Sequence, residues 1–157
     1  DSEGPWRDEM ERFEFWESIM GSEDYKFVVP DAEAAFDYLV NALPSQPEVV
    51  LAGGYSFGAI TALKVAGLKK VDGVFGISPP IGKYDLAFID SIDCLKYFIS
   101  SEQDMACDIE EMKAFCERLN STLSIVPGGD HFYVGHESRL CTTLMNHLKS
   151  HLGPSAK

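Results

Sequence analysis

The sequence predicts an α/β protein, a three-layer sandwich in which helices cover a mainly parallel sheet. Three observations carry that prediction. Short, continuously apolar runs of four to seven residues recur along the chain, as in strands buried on both faces. Stretches of helix length separate them, the alternation that a parallel sheet with right-handed crossovers requires. The chain has 157 residues, of which 45% are hydrophobic, 11% aromatic and 24% charged, the size and make-up of one globular domain.

Residues 1–24 form an acidic, aromatic segment in which Met10, Phe13, Trp16 and Met20 fall at helical spacing, whereas Phe13 and Phe15 alternate as in a strand. A helix is favoured there, with a short strand at Arg12-Phe13-Glu14-Phe15 left open. Pro30-Asp31 then opens a helix over residues 32–40, which Pro44 and Pro47 stop. Val49-Val50-Leu51-Ala52-Gly53 reads as the first secure strand and residues 59–66 as the helix after it. Residues 71–77 form a second strand, closed by Pro79-Pro80, and residues 95–99 a third. A helix over 108–119, a fourth strand over 123–126 and a terminal helix over 138–152 complete the pattern, leaving 153–157 as a tail. The whole chain, 1–157, is expected to be a single domain without internal repeats.

Charge excludes several classes of partner. Thirteen Lys and Arg against 25 Asp and Glu give a net charge of −12, which repels nucleic-acid phosphates and anionic lipid headgroups. Nine acids against two arginines place −7 of that charge in residues 1–24. No run approaches the roughly 20 apolar residues of a membrane helix. The acidic start Asp1-Ser2-Glu3-Gly4 is not that of a signal peptide, and a start at Asp leaves open processing or a longer parent chain. Cys94, Cys107, Cys116 and Cys141 lack CxxC spacing and are read as reduced thiols of a cytoplasmic protein.

Parallel sheets do their chemistry at the C-terminal ends of their strands, so the residues just past each strand matter most. After the first strand comes Gly54-Tyr55-Ser56-Phe57-Gly58, a G-x-S-x-G pattern. The bare pattern is of low specificity, but its place between a buried strand and a helix is the geometry of a nucleophile elbow. There the serine takes strained backbone angles, and small residues two positions away on either side, Gly54 and Gly58, let strand and helix approach. The plain alternative is a glycine-rich packing turn.

A serine hydroxyl needs a base, and the base needs an acid to orient it. Of the four histidines, His131 lies directly after the last strand in Pro127-Gly128-Gly129-Asp130-His131-Phe132, where two glycines give the loop freedom to present it. His147 and His151 read as a surface pair without a third metal ligand, and His136 as a solvated loop residue. For the acid, Ser100-Ser101-Glu102-Gln103-Asp104 comes after the third strand, and Asp104 is favoured over Glu102. Asp108 suits a helix cap, and Asp130, next to His131, is poorly placed to face it. Tyr55, Phe57, Phe132 and Tyr133 flank these residues and read equally as an apolar substrate surface or as core. If His131 must be neutral to accept a proton, turnover should fall below about pH 6 to 7.

With these motifs in this order, residues 30–152 resemble the α/β-hydrolase superfamily. They are most similar to its small, lid-poor members near the dienelactone-hydrolase and Xaa-Pro-peptidase-like branch. The resemblance implies Ser56 as nucleophile, Asp104 as orienting acid, His131 as general base and the Phe57 backbone N–H as an oxyanion donor. Tyr55 and Phe132 would then contact the substrate. It further implies a serine esterase, thioesterase or amidase that takes a small acyl substrate and needs neither metal nor organic cofactor.

Two departures stand out. The family usually has glycine where Ser101 stands. Its fold also has about eight strands and draws a second oxyanion donor from a loop after the third, often marked His-Gly, a dipeptide absent here. The expected fold is therefore shortened at its N-terminal side, and losing one such donor typically costs a factor of about a hundred to a thousand in turnover. A shortened sheet would leave an edge to be covered by residues 1–24, a second copy or a partner. A non-catalytic hydrolase-like module serving protein–protein interaction is the competing reading.

Overall fold

A computed structural model describes residues 25–152, with side chains from 28 to 151; the open question over residues 1–24 and the tail lie outside them. Four parallel strands lie in the order of the chain: β1 (Leu51–Tyr55), β2 (Gly73–Ile77), β3 (Leu95–Gln103) and β4 (Thr122–Asp130). The helices are α1 (Tyr25–Ala42), α2 (Phe57–Leu68), α3 (Ile109–Arg118) and α4 (Glu137–Leu152), and two 3-10 turns, Ile81–Lys83 and Ala87–Ser91, bridge β2 to β3.

The pleat of β3 sorts the core into two layers. Phe98 points to one face, where it meets Ile60 and Leu63 of α2, Val74 of β2 and Met112 and Cys116 of α3, all buried. Its neighbours Tyr97 and Ile99 point to the other face, with Val126 and Tyr133, and Leu140 and Leu144 of α4 pack against them. Period-two side chains from one strand thus feed both layers, and the chain is a three-layer α/β sandwich. Asp108 caps α3, its Oδ1 accepting from the backbone N–H of Glu110 and Glu111 at 2.8 and 3.1 Å.

Several predicted boundaries move, each for a tertiary reason. α1 starts at Tyr25 and carries Pro30 inside it, because a proline in a helix removes one hydrogen bond without always ending the helix. β1 shifts two residues downstream. At its entry the Val50 N–H donates to the Asp72 carboxylate and the Asp72 N–H to the Val50 carbonyl, both at 2.8 Å, in place of ladder pairing. β3 runs on through Gln103 because its far end pairs with β4, so Ser100, Ser101 and Glu102 are strand residues and not a loop. β4 likewise takes in Pro127, Gly128, Gly129 and Asp130 past an irregularity near Ser101–Gln103. Proline is tolerated there because β4 has a neighbour on one side only among the described residues.

Candidate active site

β1 ends at Tyr55, and Ser56 comes next with φ 53° and ψ −122°, a region L-residues avoid, before α2 begins at Phe57. Its amide donates to the Ile77 carbonyl at 2.7 Å, so the sharp turn is tied to the end of β2. Glycine at position 54 is required by contact: a Cβ there would stand 2.1 Å from the Gly58 carbonyl oxygen. Gly58 is another matter. A Cβ on it would meet nothing within 4 Å, so the expectation that both glycines serve strand–helix approach holds for Gly54 alone.

The ends of three strands bring Ser56, His131 and Asp104 together. Ser56 Oγ lies 3.0 Å from His131 Nε2, and His131 Nδ1 lies 2.7 Å from Asp104 Oδ1. The Asp104 side chain is fully buried and that of His131 is 10% exposed. Burial alone would raise the Asp104 carboxyl. The bond from His131, the nearby Ser78 hydroxyl, the Ala106 backbone N–H and the charge of His131 outweigh it and hold the carboxyl below its ordinary range. An ionised carboxylate only accepts, so Nδ1 carries the imidazole proton and Nε2 is left to accept from Ser56 Oγ–H.

The turn carrying His131 is held from two sides, and its two glycines act differently. Gly128 takes a positive φ, 70°, the freedom expected of glycine there from the sequence. Gly128 and Gly129 belong to β4, and a Cβ on Gly129 would press on Ser101 at 3.3 Å, so the glycine here admits a close strand neighbour. The Tyr55 hydroxyl donates to the His131 carbonyl at 2.8 Å and its ring lies 5.3 Å from the imidazole. Asp130 Oδ1 accepts from the Phe132 N–H at 3.0 Å, which points it away from His131. Glu102, exposed, accepts from the Gly128 N–H at 2.9 Å.

A cavity of about 420 Å³ opens beside Ser56 and His131, walled by Tyr55, Phe57, Gly58, Pro80, Lys83, Met105, Ala106 and Phe132. Phe132 is 61% exposed along this wall, whereas Tyr133 is 2% exposed and belongs to the core. None of residues 133–137 lines this cavity.

Sequence reasoning also missed Ser78 and Tyr133 as neighbours of the acid. Their hydroxyls lie 2.7 Å apart, buried behind Asp104. The one available signal was a polar residue at the end of an otherwise apolar strand. Of the terminal pair, His151 is exposed as expected and only His147 departs from that reading. His147 is half-buried, its ring stacked on Tyr97 at 3.4 Å, and burial, then the charge of His151, lowers its pKa. His136 is also half-buried, next to Gly128.

All four cysteines are free thiols, and no helix among the described residues is long and apolar enough to cross a membrane.

No protein-family model matches the chain and no curated protein matches it in sequence. Solved structures do match. A protein of unknown function from Agrobacterium tumefaciens, classed with the α/β hydrolases, superposes with a TM-score of 0.73 at 22% identity over 79% of this chain and 60% of that one. An α/β serine hydrolase without a lid from Xanthomonas campestris gives 0.72 at 21% identity over 82% and 58%. An α/β serine hydrolase homologue from Coxiella burnetii gives 0.66 at 24% identity over 76% and 58%. The chain has the α/β-hydrolase fold. It spans about three fifths of the length of these α/β-hydrolase structures. Within the α/β-hydrolase fold, Ser56 stands after the first described strand, Asp104 after the third and His131 after the fourth.

Proposed function

We propose that the chain is a serine hydrolase that cleaves a carboxyl ester, thioester or amide by way of an acyl-enzyme. The observation that carries this reading is the continuous line from Ser56 Oγ through the imidazole of His131 to Asp104, at 3.0 and 2.7 Å, with the serine on a strained strand-to-helix turn. Ser56 Oγ attacks the carbonyl carbon while His131 Nε2 takes its proton. His131 then delivers that proton to the leaving alcohol, thiol or amine as the tetrahedral intermediate collapses. Water, deprotonated by the same nitrogen, releases the acid and restores Ser56.

Asp104 holds the tautomer and offsets the positive charge that His131 gains. The Phe57 N–H, at the positive end of α2, is the proposed oxyanion donor. The cavity wall favours an apolar or aromatic acyl group of modest size, with Phe132 and the Tyr55 ring as contacts. No step in this sequence calls for a cofactor.

A fluorophosphonate probe tests the proposal. The chain is expected to be labelled at Ser56, and Ser56→Ala to lose the label completely while keeping its unfolding transition. A native chain left unlabelled at Ser56 would overturn it.

A further inference from the structure

We infer that the buried hydroxyl pair of Ser78 and Tyr133 is a positioning device that holds Asp104 and the His131 turn in register for proton transfer. The inference rests on the serine-hydrolase reading above and assigns that site two further residues.

Ser78 lies just past β2 and Tyr133 two positions beyond His131, yet their hydroxyls meet at 2.7 Å with Ser78 0% and Tyr133 2% exposed. Both residues sit at positive φ, 47° for Ser78 and 56° for Tyr133, although neither is glycine and Ser78 precedes a proline, a position that favours extended backbone. Two strained residues and two buried hydroxyls all cost stability, and a phenylalanine and an alanine would fill the same space. Such costs persist where the surrounding structure enforces them, and they cluster at functional sites.

The pair reaches every strand end that builds the site. Ser78 donates its backbone N–H to the Ile99 carbonyl of β3 at 2.8 Å, while the preceding residue, Ile77, accepts from the Ser56 N–H at 2.7 Å. Tyr133 closes the turn of His131, its N–H donating to the Asp130 carbonyl at 3.3 Å and its carbonyl accepting from the His136 N–H at 2.8 Å. The second carboxylate oxygen of Asp104, Oδ2, is buried without a hydrogen-bond partner. The Ser78 hydroxyl still lies close enough to favour the ionised form of that carboxyl. Burial pushes the Tyr133 phenol up to about 12, so it keeps its proton. The chain of donors then runs from Tyr133 O–H to Ser78 Oγ and from Ser78 O–H toward the carboxylate. This is the direction in which each hydrogen faces the negative charge.

Tyr133→Phe and Ser78→Ala in the 157-residue chain test the inference with two readouts: hydrolysis of p-nitrophenyl acetate, and the downfield proton resonance of the His131 Nδ1–H bonded to Asp104. Each variant is expected to lower kcat about tenfold or more with KM within about twofold, since misplaced catalytic groups lose turnover before binding. The double variant should lose no more than the worse single one, because the two hydroxyls act as a unit. In both variants the resonance should broaden or vanish while the unfolding transition stays cooperative.

An unchanged resonance in both variants overturns the inference, and so does a loss that appears in KM alone. The resonance is read whether or not the chain turns over, so an inactive wild type that keeps it overturns the proposed function alone. A wild type without the resonance overturns the His131–Asp104 bond on which both depend. Should Ser78→Ala unfold, Tyr133→Phe, which retains the ring, decides by the same readouts.

Discussion

β3 and β1 deliver the two ends of the proposed relay, Asp104 and Ser56, from very different surroundings. β3 pairs with β2 on one side and β4 on the other, and Tyr97, Phe98, Ile99, Ser100 and Ser101 are all buried. β1 pairs with β2 alone among the described residues, and Gly53 and Tyr55 on it are exposed. Where β3 sends large side chains into both layers, β1 offers Gly53 to the second face. The Phe75 ring leans over it there, 2.0 Å from where a Cβ would be. The strand leading to the acid is therefore held by packing on both faces, and the nucleophile by backbone geometry: the tie to Ile77 and the close approach of Gly54 to α2. One fold supports two members of one site by unlike means.

Three measurements break or sharpen that contrast. The largest effect is expected at Phe98, fully buried in the centre of β3. Phe98→Ala should cost about 3–5 kcal/mol in urea unfolding, whereas Leu51→Ala on β1, only half-buried, should cost less than about 2. Equal costs would show that β1 is as tightly packed as β3 and remove the contrast.

Next comes the glycine pair of the elbow. Gly54→Ala forces a Cβ against the Gly58 backbone and should destabilise by about 1–3 kcal/mol and suppress labelling of Ser56. Gly58→Ala meets open space inside a helix and should be neutral or stabilise by up to about 1 kcal/mol. The reverse ranking in denaturant midpoints would mean that the turn is not held by backbone contact.

The smallest effect is electrostatic and lies at the acid just past β3. The Asp104 carboxyl is held below its ordinary range, so the stability it adds is complete above the unfolded-state value of about 3.9 and is lost as pH falls through the lower folded-state value. Urea midpoints of the wild type should therefore fall more steeply below about pH 4 than those of Asp104→Asn, which has no proton to take up there. Parallel curves would show that Asp104 gains nothing from its partners.

Much of this arrangement is legible in the sequence. The order Ser56, Asp104, His131, each placed after an apolar run, is a local property of the chain, and so is the need for glycine at 54 in a sharp strand-to-helix turn. The Asp108 cap is likewise written within four residues. Less legible was how far each strand runs. β3 and β4 extend each other by pairing across Ser101–Gln103, so a segment that reads as polar loop becomes strand once a partner lies beside it.

The sequence by itself thus determined the layer architecture, the strand ends at which the proposed chemistry would sit, and the three residues that meet there. Apolar periodicity and turn chemistry act over a few neighbouring positions and need no knowledge of the rest. Only the tertiary structure decided that Tyr55 braces the His131 turn through its hydroxyl, that Gly58 is not a packing glycine, and that Tyr133 lies beneath the site against Ser78. The two hydroxyl contacts join residues 55 and 76 positions apart, and what a hydroxyl or a missing Cβ does there depends on which atoms the fold brings next to it.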